Sequence, residues 1–219
     1  MTLPGWQTLR DANPWRRALA LGAGLLVLLG LGFGAWGWYS VVQARGAQVL
    51  LEAGALAEKA LLAKPADVAQ WEAAIRTLEE ATLRHPSNRL TASALYHLGN
   101  LRYQVKSYEA ARAAYALALT KGAPASLADL SRLGIGYTWE AEGKYAEALQ
   151  AYQAALLGLG TTDFLYEDIL LAMARAQELL GKPEQARETY RRILRENPST
   201  QRADDIRWRL ASLDKPARP

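Results

Sequence analysis

The 219-residue sequence contains no cysteine, and only two histidines, His85 and His97, 12 residues apart. The first absence excludes disulfides, thiolate metal sites and cysteine nucleophiles, and leaves the redox compartment open. The second removes any His-x-x-x-His or comparable ligand spacing, so no metal site and no cofactor are expected. Charge of one sign is not concentrated either. The 26 Lys and Arg and the 22 Asp and Glu are intermixed for a net charge of +4, and no basic block is longer than the doublet in "WRR" at 15–17. No nucleic-acid partner is expected from such a pattern. Phosphate-loop chemistry is missing as well. Gly134 and Gly136 form a GxG, but Tyr137 follows inside a helical pattern rather than a strand–turn–helix. Asn88 is followed by Arg89 and Leu90, not by a glycosylation acceptor. The acidic pairs Glu79–Glu80, Glu167–Asp168 and Asp204–Asp205, with Asp163, read as solvated helix surface rather than as a hydrolytic pair. His85 and His97 read as capping or packing residues. No enzyme activity and no small-molecule substrate are expected.

What the chain does have begins with a long uncharged run. Residues 18–39, "ALALGAGLLVLLGLGFGAWGWY", hold neither charge nor proline. As a helix these residues span roughly 33 Å, enough for a bilayer core of about 30 Å. Trp15 stands at one end and Trp36, Trp38 and Tyr39 at the other, the places of an interfacial aromatic belt. Arg10, Arg16 and Arg17 precede the run and only Arg45 follows closely, which orients the N-terminus to the cytoplasm. A cleavable signal peptide is the rival reading, with "VQA" at 42–44 as its cut site. Its apolar run is normally about 7–15 residues, which favours an uncleaved anchor. Gly30 and Gly34 form a GxxxG that either packs against another membrane helix or reflects a glycine-rich span.

The remaining sequence repeats. "QWEAAIRTLEEATL" places Trp71, Ala74, Leu78 and Ala81 on one helix face, at steps of 3, 4 and 3. The same steps carry Tyr108, Ala111, Tyr115 and Ala118, then Tyr145, Ala148, Tyr152 and Ala155, then Pro183, Ala186, Tyr190 and Ile193. The third residue of each set falls at 78, 115, 152 and 190, giving periods of 37, 37 and 38. Pro86, Pro124 and Pro198 mark the ends of three cycles, where a helix stops. Alanines let two helices approach, and the tyrosines fill the gaps between hairpins. The segment 200–213 reads as a closing amphipathic helix with Ile206, Leu210 and Leu213 inward.

With Gly99, Gly136, Gly143, Ala174 and Gly181 at or within one residue of signature places, residues 55–198 resemble the tetratricopeptide repeat family. The family repeat is about 34 residues, so the loops or helix ends at "KGAPASLA" and "LGLGTTDF" are expected to be extended. The resemblance implies an all-α chain: a transmembrane helix, then a right-handed α-solenoid of about four helical hairpins with a C-terminal capping helix. The expected layout is a cytoplasmic segment 1–17, a transmembrane helix 18–39, a juxtamembrane helix 40–64 entering the first repeat, a solenoid 65–213 and a disordered tail 214–219. Gly46 and Gly54 are expected to allow a bend in the juxtamembrane helix, and the lack of a flexible tether to keep the solenoid near the bilayer.

The resemblance also implies a protein-binding groove lined by the first helix of each hairpin. Carried across, its residues are Tyr96, Asn100, Tyr103 and Gln104, then Leu133, Tyr137 and Glu140, then Leu171, Arg175 and Glu178. Asn100 stands where members of the family fix a peptide backbone, whereas Tyr96 replaces a lysine of the carboxylate-clamping type. The membrane-anchor residues are Trp15, Arg16, Arg17, Gly30, Gly34, Trp36, Trp38 and Tyr39. An anchor fused to a short repeat domain resembles the ancillary subunits of the bacterial Sec translocon. That resemblance implies a single-pass protein of the bacterial inner membrane with a periplasmic C-terminal domain. Its implied partners are translocon subunits, periplasmic chaperones or exported clients, together with the lipid bilayer. Two alternatives stay open: a structural subunit of a larger membrane complex, and a cell-envelope coordinator of the Tol–Pal type.

Overall fold

The structure, a computed structural model, describes residues 14–63 and 67–214, the side chains of residues 14, 16 and 17 excepted. The expectations for Arg10, for the side chains of Arg16 and Arg17, and for residues 1–13 and 215–219 lie outside the described residues. The described residues form nine α-helices and no strand. The chain divides into two compact units between Gly46 and Ala47.

Helix α1 (Pro14–Leu62) is one uninterrupted helix of 49 residues that runs through both Gly46 and Gly54. From Ala18 onward it is long and apolar enough to cross a membrane, and the most apolar stretch has no protein cover. Trp15, Trp36, Trp38 and Tyr39 are exposed. At Gly30 and Gly34 an added Cβ would meet nothing within 4 Å.

In the second unit the last turns of α1 act as the first helix of a hairpin whose second helix is α2 (Val68–Arg84). Leu50, Ala53, Ala57 and Ala60 of α1 share a core with Ala74, Leu78 and Ala81 of α2. Three small residues at steps of 4 and 3 keep the helices close, and the Trp71 indole N–H donates to the Ala60 carbonyl at 2.9 Å. Asp67 caps α2, its carboxylate accepting from the Ala69 N–H at 2.9 Å. The second hairpin is α3 (Thr91–Gln104) with α4 (Tyr108–Thr120), the third α5 (Ala125–Ala141) with α6 (Tyr145–Leu156), the fourth α7 (Tyr166–Leu179) with α8 (Pro183–Glu196). Helix α9 (Ala203–Leu213) closes the stack with Ile206 fully buried.

The turn inside each of the last three hairpins has one geometry. The Ser107, Lys144 and Lys182 N–H groups donate back to the Arg102, Trp139 and Gln177 carbonyls at 2.8, 2.9 and 2.9 Å. This is a Schellman closure, which needs a left-handed residue just before the donor. Gly143 and Gly181 fill that place with φ of 73° and 68°, but the second hairpin uses Lys106 at φ 60°. The longer period resides in two places. Pro124 does not only stop a cycle: it is the N-cap of α5, which runs to 17 residues, and a nine-residue connection at 157–165 precedes α7.

Candidate functional site

Calling the first helix of each hairpin A and the second B, the B helices of the last three hairpins carry tyrosines inward at 115, 152 and 190, each almost fully buried. Glycines on the A helices make room for two of them. A Cβ on Gly99 of α3 would lie 2.5 Å from the Tyr115 ring, and one on Gly134 of α5 would lie 2.7 Å from it. The ring of Tyr115 is thus held between two successive A helices. Gly136 receives the Tyr152 ring still more closely. The GxG at 134–136 is a pair of sockets for aromatic rings.

The phenol groups emerge on the A-helix face and bind polar side chains there. Tyr152 donates to Glu140 Oε2 at 2.7 Å, and Tyr190 donates to Glu178 Oε1. Glu140 and Glu178 occupy the same place in successive A helices, and the corresponding residue in α3 is Tyr103. With no carboxylate there, the Tyr115 hydroxyl goes to Asn100 Oδ1 instead, at 2.7 Å. Burial pushes the Tyr115, Tyr152 and Tyr190 phenols well above the ordinary tyrosine range, and the Glu140 and Glu178 carboxylates add to the rise at Tyr152 and Tyr190.

Six of the ten groove residues read from the sequence converge. Tyr96, Asn100, Tyr103 and Gln104 of α3 and Leu133 and Tyr137 of α5 line one open cavity of about 400 Å3, together with Leu61, Tyr115, Leu130 and Gly134. No residue lining it carries a formal charge. The Asn100 carbonyl is used by Tyr115, which leaves its NH2 group as the free end of the amide. The hydroxyls of Tyr96, Tyr103 and Tyr137 and the amide of Gln104 have no protein hydrogen-bond partner among the described residues. Tyr96 packs on Tyr115 with ring centroids 5.9 Å apart, and Tyr137 stands edge-on to Tyr152 at 5.8 Å. The Tyr96 and Tyr137 rings are therefore each packed against a buried tyrosine. Desolvation raises the Tyr103 and Tyr137 phenols, so both stay neutral.

The other four residues are engaged by the protein itself. Arg175 donates from Nε and Nη2 to both oxygens of Glu140 at 2.5 and 2.9 Å, a bidentate pair. Its guanidinium also lies 5.9 Å over the Tyr137 ring. Glu178 accepts from Tyr190 and faces Arg209 of α9 at 3.5 Å. Leu171 packs against the core of the second half. The A-helix face is thus polar and open beside α3 and α5, and closed by its own ion pair beside α7. Of the residues that sequence reasoning left out of the cavity, Leu61 and Leu130 had no signal beyond apolarity, and Gly134 was visible only as half of a GxG. Tyr115 was visible only as a packing residue.

His97, on the same helix, lies apart from this cavity, in a cleft lined by Leu50, Leu51, Gly54, Glu58 and Leu90. Burial lowers its pKa below the ordinary histidine value, against a weaker opposite pull from Glu58. Among the described residues no group of three or more His, Asp or Glu is placed to hold a metal ion.

Residues 140–210 match the model of the tetratricopeptide repeat family. Solved structures extend the likeness of fold over most of the chain. A tetratricopeptide repeat protein from Parabacteroides merdae ATCC 43184 superposes with a TM-score of 0.59 at 18% identity, covering 76% of this chain. The chain covers 60% of that protein's length. A Podosopora anserina protein with nearly identical TPR-like repeats gives a TM-score of 0.57 at 14% identity, over 78% of this chain and 86% of that one. Comparison with curated proteins finds no match.

Proposed function

We propose that this chain is a membrane-anchored tetratricopeptide scaffold that takes up an extended protein segment on its A-helix face and breaks no bond. The observation that carries the reading is the cavity between α3 and α5, where unpaired neutral polar groups stand beside rings packed against buried tyrosines. Groups already held in place lose little freedom when a ligand hydrogen-bonds to them, which favours binding over flexible surface groups. Stacked helical hairpins offer an extended surface of this kind as a matter of architecture. The apolar part of α1 supplies the anchor, with interfacial rings at Trp15, Trp36, Trp38 and Tyr39.

In the finer reading, the protein sits in the bacterial inner membrane with its repeats in the periplasm and handles exported or membrane proteins beside the Sec translocon. The arginines at 10, 16 and 17 support that orientation. The alternative of a fixed subunit in a larger membrane complex draws support from the closed half of the face, where the Glu140–Arg175 pair leaves less surface for a changing set of clients.

A photo-crosslinking side chain placed at Asn100 in living cells tests the proposal, with Gln150, exposed on α6, as the control position. Crosslinked protein segments are expected from position 100 and not from position 150. Equal yields from both positions, or only solvent-quenched probe at position 100, would overturn it.

A further inference from the structure

The chemistry of the open cavity points to one class of segment, an inference that rests on the groove reading above. We infer that the cavity between α3 and α5 receives a proline-rich stretch in the polyproline II conformation. The first observation is the absence of formal charge along its lining, which gives neither a basic nor an acidic side chain a partner. The second is the set of donors left available for ligand carbonyls. Asn100 offers its NH2 group because Tyr115 holds its carbonyl. Tyr96, Tyr103 and Tyr137 offer hydroxyl protons and Gln104 a second NH2 group. An ordinary extended peptide also brings one N–H donor for every carbonyl, which the phenol oxygens and the Gln104 carbonyl would have to accept. A proline run brings carbonyls and no N–H.

The third observation is spacing. Tyr96 and Tyr103 are seven residues apart on one face of α3, about 10 Å along the axis. One turn of polyproline II, three residues at about 3.1 Å each, advances about 9 Å. Successive exposed carbonyls of one edge of the ligand therefore meet Tyr96 and Tyr103 in step, with the Asn100 NH2 group between them. Pyrrolidine rings pack against aromatic faces at little entropic cost, because the ligand is already extended before it binds.

The test is a titration of the full chain in detergent micelles with a fluorescent, end-blocked decaproline, read by anisotropy. An end-blocked peptide of equal length made of Ala, Ser and Gln is the comparison. The proline peptide is expected to bind at least about tenfold more tightly. Gln104→Ala, at an exposed position, and Tyr103→Phe, which keeps the ring, are each expected to weaken it several-fold. Exposed Gln150→Ala is expected to leave it unchanged. If the mixed peptide binds as tightly and loses its affinity in the same variants, the proline inference is overturned and the groove reading survives. If neither peptide binds and position 100 also fails to crosslink in cells, both are overturned. Proline-peptide binding that ignores Gln104→Ala and Tyr103→Phe places the ligand elsewhere and overturns the inference.

Discussion

Replacing Gly134 by alanine sets two known effects against each other at one site. In a helix interior, alanine is better than glycine by about 1 kcal/mol. Against this, the new Cβ would lie 2.7 Å from the Tyr115 ring, far inside ordinary contact. A side-chain tip can often swing away at small cost. This ring cannot, because Gly99 on the opposite helix already approaches it so closely that a Cβ there would lie at 2.5 Å. Its hydroxyl is also tied to Asn100. Overpacking of this kind costs about 1–3 kcal/mol, so Gly134→Ala is expected to destabilise the repeats by up to about 2 kcal/mol net. The assay is a urea titration of the full chain in detergent, followed by far-ultraviolet circular dichroism. The decisive comparison is made in a Tyr115→Leu background. With the ring gone, only the backbone benefit remains, and Gly134→Ala is expected to stabilise by up to about 1 kcal/mol. The sign should reverse, with a coupling of about 1–3 kcal/mol between the two positions, the overpacking cost itself. Equal destabilisation in both backgrounds would refute the argument that a gripped ring explains the glycine.

Two further outcomes follow from local geometry. Lys106 adopts the left-handed conformation that glycine fills in the next two turns, so Lys106→Gly is expected to stabilise by about 1 kcal/mol. A thermal melt should rise by roughly 2–4 °C. At His97 burial lowers the folded-state pKa, so the folded chain binds fewer protons than the unfolded chain. Stability is full above the ordinary histidine value of 6.5 and is expected to fall as pH drops from there towards the lowered folded value. In urea titrations across that window, His97→Phe should flatten the slope.

The repeat was legible in the sequence because its cause is periodic. Alanine and a large residue recurring every 37 or 38 positions on one helix face can serve only a stack of near-identical helix pairs, and Ala74, Ala111, Ala148 and Ala186 are all buried. The apolar run of α1 was equally plain, since length and absence of charge are properties of the chain alone. Six residues that line one cavity could be grouped in advance because a face of α3 and α5 is also a sequence interval. What the sequence left open was which polar groups would use one another. Arg175 and Glu140 are 35 residues apart, and only the stacking of α7 on α5 makes them a bidentate pair. The same holds for Gly99 and Gly134, which read as small residues until the Tyr115 ring is found between them. Local spacing determined which residues share a helix face. The packing of one hairpin on the next decided which of them are spent holding the stack together and which remain free to meet a partner.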